Sequence, residues 1–171
     1  MLNTTPVSPS AKKLPGLTDS KHLLTMLFGA DTVCKLRKEP LSAKDCVVVA
    51  SYRENNGRIR RLLACDLAFA NSAGAALSAI PPTAANNATK AGKLAENVLE
   101  NLFEVMNIAV NMLIESFGGR LELVAVSRLS DVPAELLDAL SSDQRVKIDI
   151  AIPRYEPGRL DLIAVDFLPA Q

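Results

Sequence analysis

From about Lys93 to Phe117 the chain carries more apolar residues than a helix covering one side of a core requires. At 100° per residue, Val98, Leu102, Val105, Ala109, Met112 and Leu113 gather on one face. Leu99, Phe103, Met106, Ile108 and Val110 fall on its flanks. Apolar side chains thus cover well over half the circumference, and Gly118-Gly119 supply the stop. A helix of this kind has to be packed on two sides, which commits the chain to a layered domain. Leu102, Val105, Ala109 and Met112 are expected among its most buried residues.

The polar remainder of that helix is equally ordered. Glu100, Glu104, Asn107 and Asn111 follow one another at spacings of four, three and four, so they line one narrow ribbon, and Glu96 extends it by a turn. A solvated face is the ordinary explanation of such a ribbon. Two features depart from it. Solvated faces mix Lys or Arg with Glu, yet no basic residue stands between Glu96 and Glu115. Asparagine inside a helix also costs stability, and two lie one turn apart here. Local choices that weaken a helix point to a constraint from outside it, and a basic or metal-bearing partner surface would fit.

The flanking sequence gives the layers. Thr18 or Asp19 caps a short helix running to Phe28, before Gly29. A hairpin follows: Cys46–Tyr52, then Asn55-Asn56-Gly57, then Arg58–Leu63. Asp66 caps a helix to about Ile80 that is rich in small residues, and Pro81–Gly92 reads as an exposed polar loop. After the long helix come a strand over Leu121–Leu129 and a short helix from Pro133 to about Leu140. Strands over Arg145–Ile152 and Arg159–Phe167, joined by Pro157-Gly158, end the pattern. The order αββα–α–βαββ predicts a single α+β domain, an antiparallel-rich β-sheet packed with long helices, over residues 18–171. Residues 1–17, rich in Thr, Pro, Ser and Lys, read as a flexible N-terminal tail.

Composition narrows the function. The 19 basic residues balance 19 acidic ones and aromatics are 4%, so no phosphate-binding face and no base-stacking platform is expected, hence no nucleic acid. No apolar run approaches the length of a bilayer span and the first twenty residues lack the apolar stretch of a signal peptide, so a cytoplasmic protein without membrane insertion is expected. Cys34, Cys46 and Cys65 fit no zinc spacing and read as buried thiols, and the single histidine, His22, removes any two-histidine metal site. No glycine-rich phosphate loop occurs. The chain is expected to work without a metal or cofactor of its own. Arg58, Arg60 and Arg61 read as a solvated hairpin face with Glu54 nearby, an anion contact being the other reading.

Glu104-Val-Met-Asn107, on a helix that follows a polar linker, resembles the ExxN signature of the CheC/CheX/FliY family of response-regulator phosphatases. The surroundings are similar to its CheX branch. They comprise an N-terminal helix ending in Leu27-Phe28-Gly29, a hairpin, a small-residue helix, then the ExxN helix and a β-rich half, from about Thr18 to Phe167. The resemblance implies a CheX-like fold that hydrolyses the aspartyl phosphate of a response-regulator receiver domain. It makes Glu104 and Asn107 the catalytic pair, Glu104 engaging the receiver's lysine and Asn107 orienting the attacking water. Glu96, Glu100 and Asn111 would be partner-binding, and Mg²⁺ would sit on the receiver. Asn111 stands where small residues usually follow the motif, and Pro133 is displaced from the usual proline. Two other readings stay open: a non-catalytic receiver-binding adaptor of the same fold, and an unrelated ligand-sensing or structural α+β domain. Homodimerisation is also left open.

Overall fold

A computed structural model describes residues 13–170. The long periodic segment forms a helix over Glu96–Phe117, closed by Gly118 in the left-handed conformation at φ 76°. In chain order the elements are α1 (Leu17–Phe28), β1 (Val33–Leu36), β2 (Val48–Arg53), β3 (Ile59–Cys65) and α2 (Leu67–Leu77). Then come α3 (Pro82–Lys90), α4 (Glu96–Phe117), β4 (Glu122–Arg128), a single 3-10 turn (Leu129–Asp131), α5 (Ala134–Ala139), β5 (Arg145–Ala151) and β6 (Gly158–Phe167).

Among the described residues the strands form one six-stranded sheet in the order β1-β5-β6-β3-β2-β4, every neighbouring pair antiparallel. Alternation along the strands sends two apolar sets to opposite faces. Val48, Ala50, Tyr52, Leu63, Cys65 and Leu162 meet Leu24 of α1, Phe69 and Ala73 of α2, and the buried side of α4. Val49, Leu62, Ala64 and Ile163 meet a smaller layer of Leu41, Cys46, Val132 and Leu136. With both faces covered, the central strands carry apolar runs without polar alternation, as in Val48-Val49-Ala50 and Leu62-Leu63-Ala64. The α+β architecture expected of the sequence is the one observed.

Helix α4 lies against α2 at a glycine. A Cβ on Gly74 would stand 2.5 Å from the Val98 carbonyl oxygen, and Asn101 Nδ2 donates to the Gly74 carbonyl over 2.9 Å. The small residues of α2 therefore set how close α4 approaches, and with it which side α4 turns outward. Leu102, Val105, Ala109 and Met112 are all buried, as the periodicity predicts.

Several expectations are corrected. Pro81–Gly92 is no loop but carries α3, which takes Pro82 at its first position and buries Ala85. A four-residue edge strand, β1, precedes the hairpin. Gly16 caps α1 in place of Thr18, and the carboxylate of Asp19 accepts from the Gly16 amide at 3.1 Å. Of the segment read as a tail, residues 1–12 lie outside the described residues, Pro15 is buried and Leu17 opens α1. The arginine hairpin is not a solvated face: a register shift pairs Tyr52 with Arg61 but Arg53 with Ile59. Arg61, opposite Tyr52 and in step with Leu63 and Cys65, faces the helix layer and is 1% exposed, while the extra residue sends Ile59 to the other face.

On the second face, fully buried Asp161 accepts from Arg145 at 3.0 Å and from the Leu41 amide at 2.8 Å, and pairs with Arg37. This fastens the segment after β1 across the sheet. No helix among the described residues is long and apolar enough to cross a membrane, and no described group of three His, Cys, Asp or Glu side chains could hold a metal ion.

Candidate functional site

Helix α4 rests on the sheet over β2 and the edge strand β4. Below its middle, the buried Tyr52 hydroxyl of β2 donates to the Met106 carbonyl over 2.7 Å. Burial pushes that hydroxyl's pKa well above the ordinary tyrosine range, so it stays a donor. The next residue of the helix, Asn107, is exposed.

Glu96, Glu100, Glu104, Asn107 and Asn111 are all exposed, so the structure brings the five ribbon residues together on one side of α4. Neither Glu104 nor Asn107 makes a side-chain hydrogen bond or ion pair with any described residue, and Glu100 and Asn111 are equally unengaged. Glu96 is the exception: Arg128, at the end of β4, pairs with it at 2.7 Å and also donates to the Leu94 carbonyl. The charge pattern along the helix contained no sign of this cation, which arrives from 32 positions further on. The acidic strip thus has one neutralised end and two unpaired carboxylates in its middle.

One neighbour of the ribbon was not singled out by the sequence. Phe103, assigned to an apolar flank, is 41% exposed and lies 40° around the helix from Asn107. At the far end of α4, the guanidiniums of Arg60 and Arg61 stand 5.1 and 4.8 Å from the centre of the Phe117 ring. Burial, with the charge of Arg60 second, holds Arg61 down at about 10. Arg60 is committed to Glu54 at 2.7 Å and Arg58 to Asp166 at 2.6 Å. This cluster anchors the hairpin to the end of α4.

Chemically, the ribbon presents carboxylates and amides to solvent, with no nucleophile or cation among its exposed members. A cleft of about 940 Å³ elsewhere, lined by residues such as Arg60, Glu135, Ser142 and Gln144, includes none of the ribbon residues. The arrangement can pair with a cation and orient a small polar molecule for chemistry whose other groups come from outside.

No family model matches the sequence, and no curated protein matches it. Solved structures do match. A CheX–CheY–BeF3–Mg²⁺ complex from Borrelia burgdorferi is similar at a TM-score of 0.54 and 14% identity, over 88% of this chain and 95% of that one. The FliM middle domain of H. pylori gives 0.55 at 8% identity, over 92% of both chains. FliY of Thermotoga maritima gives 0.50 at 15% identity, over 96% of this chain and 92% of that one. At such identities the likeness is one of fold. The chain has a CheC/CheX/FliY-like fold, the architecture of these chemotaxis-related proteins.

Proposed function

We propose that this chain binds the receiver domain of a phosphorylated response regulator through α4 and hydrolyses its aspartyl phosphate. One observation carries the reading. Glu104 and Asn107, one turn apart in the middle of a helix whose other side is core, are exposed and held by no described residue. The fold supports it, since the similar CheX was solved together with CheY, BeF3 and Mg²⁺.

In this mechanism Glu104 pairs with a receiver lysine and sets the register of docking. The carboxamide of Asn107, donor and acceptor at once, holds a water in line with the phosphorus. Water oxygen bonds to phosphorus as the bond to the aspartyl oxygen breaks, releasing inorganic phosphate and the free carboxylate. The receiver supplies the metal and lysine that stabilise the developing charge, so this chain's contribution is orientation. The chain itself needs no cofactor for that part.

The test is the lifetime of the acyl phosphate on a purified receiver domain with and without the protein. Wild type should shorten it, and Asn107→Ala should abolish the effect without changing the thermal midpoint. A wild-type protein that leaves the lifetime of every receiver it binds unchanged makes it a non-catalytic adaptor. FliM of H. pylori, similar in fold and solved in a complex with SpeE, supports that second reading.

A further inference from the structure

We propose that Phe103 is the specificity-determining residue of this surface, selecting receivers that carry an apolar recess beside their exposed cation. The inference rests on the receiver-binding reading and adds to it the chemistry of the partner.

Phe103 stands three residues after Glu100, next to Glu104 and four before Asn107, so its ring belongs to the same surface as the unpaired carboxylates. It is the one large apolar side chain of α4 left exposed, while Leu99, Val110 and Ile114, on the same flank, are half-buried. Phenylalanine is a poorer helix former than the residues that normally fill a solvated position. Its neighbours on the core side are already close-packed, so the ring is not completing the core.

The two chemistries divide the work of association. Glu100 and Glu104 act at a distance and raise the encounter rate with a cationic surface, an effect that salt screens. They select for charge alone, which many surfaces share. A ring that must leave water on docking contributes to the lifetime of the complex only where the partner offers a matching recess. A second copy of this chain is the wrong occupant, because a two-fold contact through this face would set Glu100 and Glu104 against their own copies.

The experiment measures association and dissociation of the full chain with a beryllofluoride-loaded receiver domain at low and high salt, alongside thermal unfolding. Phe103→Ala should speed dissociation about tenfold, with association, its salt dependence and the thermal midpoint nearly unchanged. Phe103→Leu should recover part of the loss. Glu100→Gln should do the reverse, slowing association and flattening its salt dependence. Wild type that binds no receiver overturns the functional reading and this inference together. Binding by wild type with unchanged dissociation in Phe103→Ala overturns this inference alone. Loss of a dimer in Phe103→Ala, with receiver dissociation unchanged, would give the ring to a second copy and also overturn it.

Discussion

Tyr52 holds Met106 by its backbone: a fully buried hydroxyl on the second strand donates to a mid-helix carbonyl over 2.7 Å, one residue before Asn107. The carbonyl already lies in a continuous helix, so the added bond fixes the rotation of α4 about its axis. Tyr52→Phe removes the donor and leaves the acceptor its helical partner. A loss of about 0.5–1.5 kcal/mol is expected, with faster amide exchange around residue 106 and unchanged exchange at the ends of α4. A loss above about 3 kcal/mol would mean that the hydroxyl supports more than this one contact.

Leu102 is wholly buried and Met112 nearly so, on the side of α4 facing away from the ribbon. Leu102→Ala or Met112→Ala should each cost about 2–5 kcal/mol in urea unfolding. Glu100→Lys and Glu104→Lys, whose carboxylates have no internal partner, should leave stability unchanged or slightly raised by relieving repulsion along the helix. Marked destabilisation by the lysine variants would show that the ribbon is structural.

Arg128 neutralises the N-terminal end of the acidic strip. Arg128→Ala should therefore quicken low-salt association with a cationic receiver while lowering stability by about 1 kcal/mol, since the Leu94 carbonyl loses its donor. Slower association would show that the partner approaches with acidic rather than basic groups.

Alkaline pH should weaken the fold. Burial first, and the nearby Asp161 charge second, push the Cys46 thiol up to about 11, and burial likewise raises Cys65 and the Tyr52 hydroxyl. An unfolded thiol ionises near pH 8.5. Between about pH 8.5 and 11 the unfolded chain has released protons that the folded chain keeps, so stability falls as pH rises through that window. Below it the contribution is complete. Urea midpoints across this range should decline, and less steeply in Cys46→Ala.

What could be read from the sequence, and what could not, follows from the range of the forces involved. Helix α4 was legible because twenty-two residues repeat one local period, and the same period placed Glu104 and Asn107 on its outer side. Helix α3 was hidden because its polar, asparagine-rich turns bury only Ala85. Strand β1 is four residues long and exists by pairing with β5, over a hundred positions away. The bulge that sends Ile59 to the second face depends on register between strands, which no one strand encodes. The pairing of Arg128 with Glu96 is likewise set by how β4 lies beside α4. The helical period sets the flank of Phe103, while its exposure depends on how α4 sits over the sheet edge.

The strand that comes last among the six occupies the middle of the sheet, between β5 and β3. Without β6 the sheet falls into two separate fragments, β3-β2-β4 on one side and β1-β5 on the other, each with a bare edge. Assembly is therefore held back until synthesis has passed Phe167, and the nascent chain carries sticky, unpaired strands for most of its elongation. The protein should depend on chaperone shielding during translation more than a domain of its size built from local hairpins would.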